Sequence, residues 1–319
     1  MSAKIVLLCG GVGGARMANG FAAAMQPDDL QIVVNVGDDF VFCGLNVSPD
    51  LDTVMYTLAG LNDMQRGWGL RDETWTASRR TAELGGPAWF QLGDRDLATH
   101  LTRTAQLAEG ESLSAVTAKL CQAVDIRHCV VPVSDQQVRT RIRTAAALLD
   151  FQDYFVRQKA QPIASQILYA GAGEAQLANA VRLALANTHL QAVILAPSNP
   201  WLSIGPMLAI PELKTTLQRL RARAPIVAVS PIIAGQAIKG PAAKLLAELG
   251  HEVSAFGIAE YYKGLVTHFV IDNGDAHLAR RIRGLGMLVH CADILIPTTV
   301  EQTRLAQDLL ALVSSTEAA

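Results

Sequence analysis

The sequence of 319 residues contains few cysteines and few charged side chains. Its five cysteines are odd in number and scattered, with no C-x-x-C pair, which argues against a disulfide framework and a thiolate zinc site. Charged residues make up only 18 %, and the formal net charge of −2 lacks the basic excess that attracts nucleic acids. We therefore expect no nucleic-acid partner.

Long hydrophobic runs are also missing, although half of the residues are hydrophobic. No uninterrupted apolar segment approaches the roughly 20 residues that a bilayer-spanning helix needs. The strand-like run Ile5–Cys9 starts after four residues, which leaves no room for a charged region, an apolar stretch and a cleavage site before it. These features predict a cytoplasmic protein without a membrane partner.

Short apolar runs alternate along the chain with helical patterns that end at proline or glycine. This alternation predicts an α/β fold, a doubly wound, Rossmann-like and mainly parallel sheet covered on both faces. The predicted strands are 5–9, 32–36, 128–132, 192–195, 226–229 and 268–271.

One segment departs from this alternation and predicts a small inserted lobe. Residues 138–144 alternate polar and apolar side chains, as a half-buried strand does, and 148–158 has a helical pattern. We place the lobe at 136–173, so that 1–135 and 174–319 form a Rossmann-like core that binds nucleotide and substrate.

A glycine-rich turn follows the first predicted strand. Gly10, Gly11, Gly13 and Gly14 precede a helix, where backbone amides and the helix dipole favour a phosphate. The dinucleotide-binding fingerprint requires Gly or Ala where Arg16 stands, and a Walker motif is absent. The alternative to phosphate binding is a tight strand-to-helix turn.

Acidic side chains follow the second predicted strand and predict a metal site. Asn35 and Asp38 come directly after it, and Asp50 and Asp52 stand a short distance further on. In a wound parallel sheet these residues lie in the crevice at the strand carboxyl ends, where carboxylate oxygens suit Mg²⁺. The alternative is that Asp50 or Asp52 only caps the following helix.

Other polar residues lie in loops at the predicted carboxyl ends of later strands. The stiff, proline-flanked loop after the fourth strand carries Ser198, Asn199 and Ser203, whose side chains can bind a ligand or hold the turn. Lys239 can meet a phosphate as a point charge or extend into solvent.

Further upstream, a cluster that contains Asp94 and Arg95 opens a predicted helix. Asp94 and Arg95 are candidates for ligand binding. The alternative is that an acid of the cluster caps the helix and Arg95 is its surface partner. Trp68 and Trp75 can stack on an aromatic substrate, although a core position is the default for tryptophan.

The chain shows no G-x-S-x-G elbow, no H-E-x-x-H motif and no Cys–His pairing, so a covalent nucleophile is not apparent. Bound phosphate, carboxylates for a metal and rigid polar loops fit phosphoryl transfer, in which positioning and charge neutralisation supply most of the rate.

An ordered set of motifs spans nearly the whole chain and closely resembles the 2-phospho-L-lactate transferase family of coenzyme F420 biosynthesis. The set comprises GGVGGA (10–15), NVGDD (35–39), SPDLDT (48–53), LGDRD (92–96), PVSD (132–135), DFQDYF (150–155), the loop 197–206, SPI (230–232) and KGPAAK (239–244).

The resemblance implies a Mg²⁺-dependent transfer of a phosphorylated small acid from a GDP-linked donor to the deazaflavin Fo, with release of GMP. It places Fo and the metal near Asp50 and Asp52, and the glycine turn and the Ser198–Asn199 loop near the donor. Asp50 is the first candidate for metal contact or proton acceptance. Arg16 replaces the lysine often found at that point of the motif, and a homodimer is expected.

Two other functions remain open at this point. A nucleotide-sugar-binding regulator of the same superfamily would bind nucleotide without turnover, and an NAD(P)-dependent oxidoreductase is suggested by the first βα turn alone. The motifs do not report whether the donor carries phospholactate, phosphoenolpyruvate or 3-phosphoglycerate.

Overall fold

Seven parallel strands form the central sheet in the computed structural model, which describes residues 3–237 and 240–317. The strands are β1 (Ile5–Cys9), β2 (Leu30–Val34), β3 (Phe40–Phe42), β4 (Leu45–Val47), β5 (Cys129–Pro132), β6 (Arg139–Arg143), β7 (Leu148–Asp150), β8 (Gln166–Ala170), β9 (Ala192–Leu195), β10 (Ile226–Val229), β11 (Ile232–Ile233), β12 (Gln236–Ala237), β13 (His268–Asp272) and β14 (Leu288–Ala292).

Helices cover the sheet and connect its strands. They are α1 (Gly11–Ala24), α2 (Pro49–Leu58), α3 (Thr76–Glu83), α4 (Asp94–Ala108), α5 (Leu113–Ala123), α6 (Asn179–Ala186), α7 (Gly205–Leu208), α8 (Pro211–Leu220), α9 (Ala242–Glu248), α10 (Ala255–Tyr261), α11 (Ala279–Arg283) and α12 (Thr299–Glu317). Among the described helices, none combines the length and the apolar character required to span a bilayer.

The strand order of the central sheet is β14-β13-β10-β9-β1-β2-β5. The chain winds outward from β1 to β2 and β5, and then returns to the other side of β1 through β9. This reversal creates a switch point between β1 and β9, where the following loops diverge and leave a crevice at the strand carboxyl ends. The predicted doubly wound α/β fold is confirmed.

The continuous apolar runs predicted six of the seven strands, namely the five inner strands and the edge strand β5. All residues of β1, β2, β9 and β10 are buried, as expected for strands covered on both faces. The sequence analysis missed the edge strand β14, which pairs in parallel with β13. Its residues are only partly buried or exposed, so β14 has no continuous hydrophobic run to reveal it.

A separate antiparallel sheet of order β7-β6-β8 lies within the range predicted for the inserted lobe. The expected helix at 148–158 is wrong in its first part, because β7 pairs with β6 there, with Leu148 opposite Arg143. A π-helical turn, Asp153–Arg157, follows. Tertiary strand pairing therefore overrides the local helical pattern.

The helices α1 and α12 pack so closely that a side chain at Gly20 would overlap the backbone carbonyl of Gln302. The neighbouring Asn19 donates a hydrogen bond from Nδ2 to Oε1 of Gln302 at 2.7 Å. Gly20 thus brings the C-terminal helix against the sheet-covering face of α1.

We predict that Gly20→Ala lowers the free energy of unfolding by about 1–3 kcal/mol, because overpacking outweighs the gain in helix propensity. Denaturant unfolding of the variant measures the change. Gly173→Ala is the matched control, since no atom lies within 4 Å of a Cβ there. Equal stability of Gly20→Ala and the wild type would contradict the close α1–α12 packing.

Candidate active site at the switch point

A cleft of about 600 Å³ opens at the carboxyl end of the sheet. Loops that follow β1, β2, β9, β10 and β14 line it, together with the start of α2 and residues of the inserted lobe. A cleft at this position in a wound sheet is where ligands bind. Of the residues predicted for the site, it contacts Gly10, Gly11, Gly13, Arg16, Asp38, Asp50, Ser198, Asn199 and Ser203.

Two buried carboxylates, Asp38 and Asp50, meet at the floor of this cleft. Asn35 Nδ2 donates hydrogen bonds to Oδ1 of Asp38 at 2.6 Å and to Oδ2 of Asp50 at 3.0 Å. Asn35 itself is fully buried after β2, and its Oδ1 accepts a bond from the Gly37 amide at 2.8 Å. One neutral amide group therefore holds two acids side by side, and we call Asp38 and Asp50 the acid pair.

The surroundings of the acid pair disfavour the ionised form of both carboxyl groups. Burial raises the pKa of Asp50 from 3.8 to about 6, against the hydrogen bonds from Asn35 and the Gly11 amide that lower it. Burial also raises the pKa of Asp38 well above its usual range, and the charges of Asp50 and Asp39 add to the rise. Among the described residues, the ion pairs include none with Asp38 or Asp50. The charge of Arg139 acts on Asp38 in the opposite direction, but it does not outweigh the burial.

The glycines after β1 allow three loops to approach one another closely. A Cβ at Gly10 would overlap Oδ2 of Asp50, and one at Gly13 would lie 2.6 Å from the carbonyl oxygen of Pro197. Gly14 does not contact the cleft but faces Ser198, whose Oγ would lie 2.6 Å from a Cβ. The structure therefore shows a packing role for these glycines.

The first turn of α1 presents backbone amides to the cleft. The Gly11 amide donates to Oδ1 of Asp50 at 2.7 Å, so that this amide is already used. Val12 and Gly13 also line the cleft, and amides in the first turn of a helix have no partner within the helix. Arg16, one turn further along, is the only basic residue among the described residues that line the cleft.

The proline-flanked loop after β9 forms the opposite side. Asn199 Oδ1 accepts bonds from the amides of Trp201 at 3.0 Å and Leu202 at 3.2 Å, which starts the π-helical turn Pro200–Ile204. Asn199 Nδ2 is buried and has no hydrogen-bond partner in the described protein. Ser198 Oγ accepts from the Gly10 amide at 3.1 Å, which ties this loop to the glycine turn.

Asp52 lies away from the cleft, although the sequence analysis grouped it with Asp50 as a metal ligand. Its carboxylate forms a buried ion pair with Arg103 of α4. The groups Asp52, Asp96 and His100 place three ligand atoms within 4.8 Å of one another, which is a metal-like spacing. The Arg103 guanidinium lies 3.3 Å from His100 Nδ1, so a cation already balances this cluster.

Asp94 and Arg95 also lie outside the residues that line the cleft. The Asp94 carboxylate accepts bonds from the amides of Thr76 and Ala77 at the start of α3. These bonds and the one from the Thr74 hydroxyl lower the pKa of Asp94 to about 2. Arg95 donates to the carbonyl of Arg71 at 2.9 Å. Lys239, the remaining predicted site residue, lies outside the described residues.

The sequence analysis did not identify most of the aromatic side chains in the cleft. Trp68, Trp89 and Phe90, which we call the aromatic wall, come from the segment between α2 and α4. Phe151 and Phe155 of the lobe face the same cleft, with stacked rings whose centroids lie 5.3 Å apart. The sequence does contain one signal for them: aromatic residues make up only 5 % of the chain, yet Trp89, Phe90, Phe151 and Phe155 stand close together in polar segments.

Comparisons with known proteins identify the family of this chain. The family model for 2-phospho-L-lactate transferase CofD matches residues 5–294. A phosphoenolpyruvate transferase of Kitasatospora aureofaciens is 39 % identical over 316 residues, which is 97 % of each chain. A 2-phospho-L-lactate transferase of Methanosarcina mazei is 34 % identical over 303 residues, covering 95 % of this chain and 98 % of its own.

Solved structures share the fold, and one of them serves as an example. It is a UPF0052-family protein of Bacillus halodurans with a TM-score of 0.63 and 10 % identity, and the match covers 97 % of this chain and 99 % of that chain. The likeness at this identity shows the architecture alone.

We predict that the cation-free protein loses stability as the pH rises through about 6, because Asp50 binds its proton more tightly when folded than when unfolded. The stabilisation is complete below the unfolded pKa and is lost as Asp50 and Asp38 ionise. Denaturant unfolding in a chelator at pH 5 and pH 7.5 measures the loss. It should be smaller in Asp38→Asn and unchanged in Asp28→Asn, an exposed control; equal losses in all three proteins would contradict the assignment.

Proposed function

The chain belongs to the 2-phospho-L-lactate transferase (CofD) family, and from this premise we propose that it transfers a phospho-acid from a GDP-linked donor to Fo and releases GMP. The family and the named relatives establish the broader statement, namely a phospho-acid transferase of coenzyme F420 biosynthesis. The observation that carries the specific proposal is the acid pair, which lines the same cleft as the first turn of α1, Asn199 and the aromatic wall.

We assign the donor to the side of the cleft formed by α1 and the loop after β9. The first-turn amides of Val12 and Gly13 favour a phosphate group. Arg16 adds a positive charge that can bind phosphate in a bidentate manner. Asn199 Nδ2 is a buried donor without a protein partner, so a ligand oxygen would satisfy it.

We assign the acceptor Fo to the side formed by the aromatic wall and the lobe phenylalanines. A deazaflavin is a flat aromatic ring system with a polar ribityl chain. Rings such as those of Trp68 and Phe155, which are 45 % and 37 % exposed, can stack on it without first leaving a packed core. The ribityl chain then points toward the acid pair.

The acid pair fits Mg²⁺, which family membership implies. Two buried carboxylates, neither of them in an ion pair of the described residues, supply hard oxygen ligands and a local negative charge that a divalent cation relieves. Asp50 and Asp38 would hold the ion, and we no longer include Asp52, because Arg103 already neutralises it. When bound, Mg²⁺ would neutralise charge on the phosphates during the transfer.

The proposed reaction requires no covalent intermediate on the protein. The terminal ribityl hydroxyl of Fo forms a new bond to the phosphorus that carries the small acid, while the bond from that phosphorus to the bridging oxygen of GMP breaks. The hydroxyl proton passes to a carboxylate of the acid pair, which acts as the general base. The electron pair of the broken bond leaves with GMP.

The identity of the phospho-acid separates the relatives. Those at 36–39 % identity are named phosphoenolpyruvate transferases, and the relative from Methanosarcina mazei at 34 % is named a 2-phospho-L-lactate transferase. The higher identity favours phosphoenolpyruvate as the transferred acid. Mass spectrometry of the product from Fo and each of the three GDP-linked donors decides between them. The homodimer and the cytoplasmic location stay predictions.

We predict that Asp50→Asn lowers kcat at least about a hundredfold and leaves the fold intact, because asparagine keeps an acceptor for the Gly11 amide but removes the charge. Product formation from Fo with Mg²⁺ and circular dichroism measure the two effects. Chelation of Mg²⁺ should abolish turnover of the wild type. Near-normal activity of the variant would remove Asp50 from the mechanism.

Asp52→Asn is the informative comparison, since it removes an acid only two residues away. We predict that this variant loses about 3–5 kcal/mol of unfolding free energy, because Arg103 is left buried without a charged partner. Its folded fraction should keep the wild-type requirement for Mg²⁺. A stable Asp52→Asn protein that no longer requires Mg²⁺ would place the metal site at Asp52.

A further inference from the structure

Within the aromatic wall, Trp89 and Phe90 pack against Phe40 and Phe42 of β3, whereas Trp68 is 45 % exposed. Residues 59–93 connect α2 to α4, and the only helix in this segment, α3, buries none of its residues. A loop of this kind needs other contacts to hold a side chain at a fixed position. Two acidic residues, Glu73 and Asp94, supply such contacts.

Glu73 and Asp94 form a reciprocal cap between α3 and α4, in which each acid caps the helix to which the other is adjacent. The Glu73 carboxylate accepts bonds from the amides of the second and third residues of α4, at 2.6 and 3.2 Å. The Asp94 carboxylate accepts bonds from the amides of the first two residues of α3, at 2.9 and 2.8 Å. Neither helix has a cap from its own N-cap side chain, so both depend on this exchange.

The far side of this reciprocal cap is anchored to the helix that carries Asp50. Tyr56 of α2 donates its hydroxyl to Oδ1 of Asp96 in α4 at 2.6 Å. Asp52, also on α2, forms the buried ion pair with Arg103 of α4. The helix α4 is therefore fixed to α2, whose first turn carries Asp50.

On the α3 side, Trp75 connects the reciprocal cap to the aromatic wall. Trp75 stands between Glu73 and the start of α3, and its ring packs edge-on against Trp68 with centroids 6.1 Å apart. The Arg66 guanidinium lies 5.3 Å from the Trp68 ring centroid and 5.2 Å from that of Trp75, so that it bridges the two rings. A shift at Trp75 thus moves Trp68 in the cleft.

We propose that Glu73 and Asp94 are positioning residues for the acceptor: their reciprocal cap sets the position of Trp68, in the aromatic wall, relative to the acid pair. This inference rests on the proposed function, in which the wall binds Fo. Neither acid contacts the cleft, and both act through the segment that they hold. Because the donor side is built from other loops, loss of the reciprocal cap affects the acceptor alone.

The test is steady-state kinetics of the double variant Glu73→Ala/Asp94→Ala with Fo and a GDP-linked donor varied separately. We expect the KM for Fo to rise about tenfold, while kcat and the KM for the donor stay within about threefold of wild type. The single conservative variant Asp94→Asn should keep a near-normal KM for Fo, since asparagine caps a helix about as well as aspartate. A purely structural role would lower the melting temperature and leave the KM of the folded fraction unchanged.

Glu212→Ala is the matched control, because Glu212 is also a partly exposed acid that accepts a backbone amide, that of Leu177 at 3.1 Å, far from the wall. Calorimetric measurement of Fo binding distinguishes a failure of the positioning role from a failure of the proposed function. If the wild type turns over Fo and the double variant keeps the wild-type KM, the positioning role is wrong and the proposed function stands. If the wild type binds no Fo, both are overturned.

Discussion

The site depends on a single side-chain amide that holds two buried carboxylates together. Asn35 donates to both Asp38 and Asp50, and burial makes the charged form of each acid unfavourable. Such an arrangement costs stability unless a cation or a proton compensates the charge. The glycine turn is required for the same arrangement, because a side chain at position 10 would overlap the Asp50 carboxylate.

A second buried network distinguishes Asp52, which is in an ion pair, from Asp50, which lines the cleft. Asp52 is two residues from Asp50, yet it faces α4 and is neutralised by Arg103. Asp50 faces the switch point and has only hydrogen-bond donors of neutral groups. Within one helical turn, Asp52 therefore faces α4 and Asp50 faces the cleft. The ion pair between Asp52 and Arg103 also fixes α4 to α2. The helix α4 carries Asp94, which caps α3 next to the proposed acceptor side of the cleft.

The sequence was sufficient to predict the wound sheet, because its inner strands are continuous apolar runs. It was not sufficient for β14, whose partly exposed residues carry no such run, or for β7, whose pairing with β6 is a tertiary contact. The acid pair was predicted in part: Asp38 and Asp50 were both singled out, but the side to which Asp52 points depends on helix orientation. Trp89 and Phe90 were missed, since their position in the cleft depends on contacts of α3 and α4 that no local pattern reveals.

The most direct test is a crystal structure of the protein with GDP and Mn²⁺, whose anomalous scattering locates the ion. Our account predicts an anomalous peak coordinated by Asp38 and Asp50, with the diphosphate of GDP beside it and near Asn199. An ion bound instead by Asp52, Asp96 and His100, or a nucleotide remote from the acid pair, would contradict it.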